Sequence, residues 1–130
     1  MNNENVKEWL KIADYEYDSA KILNEAVHKH CEVICYLCMQ AVEKYLKGYL
    51  TYKNIIPQKT HDLVFLCNLC AEKDNDFQTI KSLCEFLNLF ITIRYPHRYE
   101  VTEDDAEFSI KASEKVRDSK PIVDLINNIK

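Results

Sequence analysis

Glycine is almost missing from this chain: Gly48 is the one glycine in 130 residues. A fold that turns repeatedly through left-handed backbone needs glycine at those turns. A phosphate-cradling Walker loop or a dinucleotide fingerprint needs several at fixed spacing. Both are excluded. Proline is scarce as well, at Pro57, Pro96 and Pro121, so long helices can run unbroken between these points. Apolar runs stop after a few residues, which leaves no segment expected to span a membrane. The stretch Met1–Leu10 has no basic region followed by an apolar core, so no export signal is expected and a cytoplasmic protein is. Also missing are a Ser-His-Asp order, a His-Glu-x-x-His pair and any spaced His/Asp metal set, which removes support for ordinary hydrolases and metalloproteases.

What is present fits one helical domain over residues 1–130. Apolar residues make up 47 % of the chain, ordinary for a packed protein, and the length suits a single core. Seventeen Lys and Arg against 21 Asp and Glu leave a formal charge of −4, which gives no general field for drawing in nucleic acid. Six cysteines without an export signal read as thiols. Cys31, Cys35 and Cys38 follow a helical spacing, Cys67 and Cys70 another, and Cys84 stands on a third segment. No knuckle turn or second tight pair accompanies them, so they read as core fillers, with no metal and no cofactor expected.

Apolar periodicity places the helices. Leu10, Ala13, Tyr17, Ala20, Leu23 and Val27 mark a first helix from about Asn5 to His28. Ile34, Cys38, Ala41, Tyr45 and Tyr49 mark a second from Cys31 to Lys53. Gly48 lies inside it at a cost of about 1 kcal/mol relative to alanine, which points to a neighbouring helix crossing closely. Residues 54–59 form a connector. Thr60 is expected to cap a third helix ending near Ala71, His61 to make a structural hydrogen bond across its start, and residues 72–76 to form a loop. A fourth helix is expected from Phe77 to Ile93. Thr102 followed by Glu103, Asp104 and Asp105 is a capping-box start for the fifth. At Pro121 the chain either kinks or begins a separate short helix. The fold class is therefore all-α, an up-and-down bundle of five main helices with a kinked or separate short C-terminal helix.

Chemistry concentrates at Arg94-Tyr95-Pro96-His97-Arg98-Tyr99. Two guanidiniums can grip phosphate in bidentate fashion, an imidazole can move protons, and phenols can stack on bases. An acidic run from Glu100 to Glu107 follows at once, so these arginines can equally serve ion pairs. A second stripe, Gln40, Glu43, Lys44 and Lys47, has the three- and four-residue spacing of neighbours on a helix surface, and reads as a solvated face.

Taken in order, Trp9-Leu10-Lys11-Ile12-Ala13 with Asp18, Gln40-Ala41-Val42-Glu43-Lys44-Tyr45-Leu46-Lys47, Thr60-His61-Asp62-Leu63, Leu87-Asn88 and Arg94-Tyr95-Pro96 form a series that closely resembles the prokaryotic HEPN domain over roughly residues 5–118. The resemblance implies an up-and-down bundle, commonly a homodimer, often encoded beside a minimal nucleotidyltransferase in a toxin–antitoxin-like pair. Many members are ribonucleases in which an Arg is followed by a polar residue and, four to six residues on, by a His. Here Arg94 fits the Arg position, Tyr95 follows it, and His97 comes after only two intervening residues. Residues 99–101 are Tyr, Glu and Val.

With that motif incomplete, the reading leans away from an enzyme and toward a homodimeric module without a membrane segment. It would contact nucleotide or RNA through Arg94, Tyr95, Arg98, Lys44 and Lys47 as partner of a minimal nucleotidyltransferase. The alternatives are a metal-independent endoribonuclease with Arg94 and a displaced His97 as catalytic residues, and a scaffolding bundle without a ligand.

Overall fold

The computed structural model describes residues 3–91 and 100–130. Among these the chain is all-helical, an up-and-down bundle of six α-helices without strands. They are α1 (Asn3–Asn24), α2 (Cys31–Tyr52), α3 (Leu63–Lys73), α4 (Lys81–Leu87), α5 (Glu103–Arg117) and α6 (Lys120–Ile129), with 3₁₀ segments at Asn75–Ile80 and Asn88–Phe90.

The bundle is organised around α2. Its apolar residues run all the way round, and α1, α3 and α5 pack against it, with α1 making the most extensive pairing. Fifteen of its 22 residues are buried, and only Glu32 and Val33, in its first turn, are exposed. Helix α1 contributes the buried line Val6, Leu10, Ala13, Tyr17 and Ala20, the three- and four-residue spacing read from its sequence. The helix ends at Asn24, four residues before the expected His28. Val27, expected to extend it, is 93 % exposed, and with nothing to pack against the chain turns after Asn24.

Gly48 sits at a contact between α1 and α2. A Cβ there would stand 3.2 Å from Leu10 Cδ2 and 3.3 Å from Trp9 Cβ, so the helix crossing expected from this glycine is present. With no glycine available at its end, α2 stops through asparagine. Asn54 has φ of 61°, its N–H donates to Thr51 O, and the N–H of Ile55 donates to Leu50 O at 2.9 Å. This is the Schellman arrangement, which asparagine tolerates better than other non-glycine residues.

Several helix ends differ from the expectations. Asp62, not Thr60, caps α3: its carboxylate accepts from the N–H groups of Val64 and Phe65. Thr60 instead accepts from Asp62 N through its Oγ1, two residues upstream of where a cap must sit. Helix α3 runs on to Lys73, and much of the expected loop is absorbed. Asp74 then accepts from Asp76 N and starts a 3₁₀ segment. The single helix expected over Phe77–Ile93 is therefore three pieces, because Phe77 and Ile80, both buried, lie three apart and eclipse on a 3₁₀ turn. The α5 start is as read, with Thr102 and Asp105 forming the reciprocal capping box. At Pro121 the separate helix is the outcome: α6 begins at Lys120, with the proline in its first turn.

All six cysteines are buried free thiols. Burial pushes Cys35 and Cys38 up to about 12, so they stay protonated and inert at neutral pH. No helix among the described residues is long and apolar enough to cross a membrane.

Three core tyrosines give the fold an alkaline limit. Burial, reinforced by the hydrogen bond from Tyr17 to Glu114, raises the Tyr17 phenol to about 12. Burial with the nearby Asp74 charge does the same for Tyr49, and burial with its bond to Asp14 raises Tyr45 further. The folded state thus keeps protons that the unfolded chain gives up near pH 10. Stability is fully present below pH 10 and falls as pH rises from there to about 12. Urea unfolding from pH 8 to 12, followed with tyrosinate absorbance, should show phenol ionisation coinciding with unfolding. Titration of these phenols in a still-folded protein would contradict this.

Candidate functional site

The stripe Gln40, Glu43, Lys44 and Lys47, expected to face water, is enclosed. Gln40, Glu43 and Lys47 are buried and Lys44 is half-buried. The reason lies in the position of α2: helical spacing tells which residues share a face, while α1 and α3 decide that this face is covered.

Charges so enclosed must be paired, and they are. Lys47 Nζ donates to Glu43 Oε2 at 2.9 Å, one turn away, with the two side chains only 8 % and 3 % exposed. The same ammonium lies over the Trp9 ring, 5.8 Å from its centre, a cation–π contact from α1. Lys44 Nζ donates to Gln40 Oε1 at 2.8 Å and to Glu16 Oε1 at 3.2 Å. The Gln40 amide in turn donates to the Tyr36 hydroxyl. Burial raises the Glu16 carboxyl and the Lys44 charge partly offsets this. Both lysines of the expected binding set thus hold carboxylates.

The free oxygen of Glu43 reaches out to α3. Its Oε1 stands 2.8 Å from His61 Nδ1. The expected bond across the start of α3 is replaced by one to α2. A carboxylate only accepts, so Nδ1 carries the proton of this bond. The His61 side chain is 60 % exposed, so a buried carboxylate orients a ring open to solvent.

Beside it, Asp62 is clamped. The Asn88 side-chain amide donates to Asp62 Oδ1 at 2.9 Å, and Asn88 Oδ1 accepts the Leu63 N–H at 2.8 Å. The Asn88 amide, aided by the N–H groups of Phe65 and Val64, holds the Asp62 carboxyl below its usual range. Four of the five sequence segments quoted above therefore meet in space, through Trp9 with Lys47, Glu43 with His61, and Asp62 with Asn88. The fifth does not enter this description: Arg94, Tyr95, Pro96, His97 and Arg98 lie outside the described residues.

Sequence reasoning missed the Glu43–His61 pair and the Asn88 clamp. The signal was present in α2, whose apolar residues leave no empty side for a polar stripe. A second network, Tyr45 donating to Asp14 and Tyr17 to Glu114 at 2.6 Å with Arg117 over the Tyr17 ring, links α1, α2 and α5 and is structural. Among the described residues no group of three His, Cys, Asp or Glu is placed to hold a metal ion.

An all-α bundle whose central helix carries a buried charged seam, opening at the exposed His61, defines a helical module with a polar site at the start of α3. The sequence profile of the HEPN domain matches residues 6–123, and the chain belongs to this family. It is similar to the crystal structure of ST0689, an archaeal HEPN homologue, at 25 % identity and a TM-score of 0.70, covering 96 % of this chain and 98 % of that one. No curated protein matches the chain.

Proposed function

We propose that this HEPN chain is a nucleotide- or RNA-contacting module that acts as a homodimer and as partner of a minimal nucleotidyltransferase in a toxin–antitoxin-like pair. The observation that carries the reading is the convergence of Trp9, Glu43, Lys47, His61, Asp62 and Asn88 on one seam. Arg94, Tyr95 and Arg98 follow Asn88 closely in sequence, so the phosphate-binding residue types are tethered to the end of the chain segment that closes this seam. Lys44 and Lys47 support the face by holding its carboxylates, and the arginines contact phosphate.

Equilibrium binding of a labelled oligoribonucleotide and of ATP tests this. Arg94→Ala should weaken binding tenfold or more, since a charge-assisted bond contributes about 1.5–3 kcal/mol, and should flatten the salt dependence by about one phosphate contact. Binding unaffected by Arg94→Ala and Arg98→Ala, or absent in the wild type, removes the reading.

A further inference from the structure

Residues of α1 and α6 line an open groove of about 320 Å³. We propose that this groove, separate from the nucleotide contacts proposed above, binds a small anionic amphiphile, in its simplest form a medium-chain carboxylate. The apolar tail lies on Leu10, Ile126 and Ile129, and the acidic head lies at Lys7 and Lys11. The volume is at the lower end of the range for small-molecule sites, which in helical bundles lie between helices. The floor is hydrophobic: Leu10 and Ile129 are core residues that each keep 7 % of their surface exposed, and Ile126 is half-buried.

Charge chooses the head group. Lys7 and Lys11 are four residues apart and share one face of α1. Both are exposed, and among the described residues neither ammonium has a carboxylate within 4.0 Å. Lys130 lines the same groove, a local positive rim on a chain of net charge −4. Asp14, the one acid in the lining, does not cancel this rim. It accepts from the Tyr45 hydroxyl and stands 4.0 Å from Arg117 Nε. It also lies two turns from Lys7, about 10 Å of helix rise. Tyr15, 61 % exposed, lines the end away from Lys7. From Lys7 to Tyr15 the helix rises about 12 Å, room for a medium-chain tail. A nucleotide is a poor match, because its base and sugar bring donors and acceptors for which an aliphatic floor has no partners. A cationic amphiphile meets the ammoniums.

The test loads the full chain with the fluorescent dye anilinonaphthalene sulfonate at neutral pH and displaces it with decanoate. Decanoate should compete with a dissociation constant on the order of 100 µM. Decyltrimethylammonium, the same tail on a positive head, should need at least about tenfold more, since each exposed charge contact contributes about threefold. Lys7→Gln combined with Lys11→Gln should weaken decanoate by about tenfold and bring the two decyl compounds together. Both side chains are exposed, so the fold should stay intact, and cooperative urea unfolding of the variant checks that the dye is not reading a loosened core. Ile126→Gln, which keeps the size and removes an apolar wall, should instead weaken both decyl compounds alike. No displacement by decanoate up to millimolar concentration, equal displacement by the two decyl compounds, or an unchanged lysine double variant overturns the proposal. Displacement by ATP as effective as that by decanoate overturns it too, because the groove then serves a nucleotide. Loss of the nucleotide reading through Arg94→Ala and Arg98→Ala leaves it standing.

Discussion

Glu43→Ala is expected to cost about 3–5 kcal/mol of folding stability, because it strands a buried ammonium without its counter-charge. Lys47 Nζ would keep only the Trp9 ring face and the edge of a small cavity. For a domain of this size that corresponds to a fall in Tm on the order of 10–20 °C. The loss belongs to the broken pair and not to a net gain from burying charge, since taking two ions out of water consumes most of their attraction. Glu43→Leu combined with Lys47→Met removes both charges and keeps the volume, so it should recover most of the stability lost by either single change. Urea unfolding of the four proteins in this cycle gives the coupling directly. Two small and additive single effects would mean that the pair is solvated, contrary to its 3 % and 8 % exposure. The cycle also separates stability from binding: a restored double variant has no carboxylate to orient His61.

The parts of this fold legible in the sequence are those whose physics is local. The capping box at Thr102 and Asp105 is settled within four residues and appears as read. The buried line of α1 and the thiols of α2 follow from helical spacing alone. Gly48 announced a close crossing, because only packing compensates a glycine in mid-helix. The failures share a different cause. The α2 stripe looked solvated because spacing does not reveal how many neighbours cover a helix, and α2 is buried over most of its length. His61 was placed at the start of its own helix, while its partner lies 18 residues back on another. The segment from Phe77 onward looked like one helix because three-residue spacing is shared by α and 3₁₀ turns over so short a span. In the site itself, residue types were legible and partnerships were not. Gln40, Glu43, Lys44 and Lys47 were singled out, yet that they form a seam with Trp9, His61 and Glu16 is a property of the packing. Arg94, Tyr95, His97 and Arg98 stand as sequence-level candidates outside the described residues.

Gly48 provides the sharpest test of that packing, through two substitutions with opposite expected balances. Gly48→Ala gains about 1 kcal/mol of helix propensity and adds one methyl 3.2 Å from Leu10 Cδ2 and 3.3 Å from Trp9 Cβ. Leu10 can rotate away, but Trp9 Cβ is fixed to the α1 backbone, so the helices must part by a few tenths of an ångström. Gain and strain nearly cancel, and the variant should lie within about 1 kcal/mol of wild type. Gly48→Leu adds three further carbons beyond a Cβ that is already tight against Leu10 and Trp9. It should cost about 3 kcal/mol, at the upper end of overpacking effects. Because Trp9 is the one tryptophan in the chain, its emission reports the displacement as the denaturant midpoint reports the stability. Pushing α1 outward also lifts Trp9 from Lys47, so Gly48→Leu and Lys47→Met should be non-additive, as expected of residues that share a partner. A Gly48→Leu protein with wild-type midpoint and unchanged emission would mean that α1 and α2 do not meet at this glycine, and the seam built on their contact would go with it.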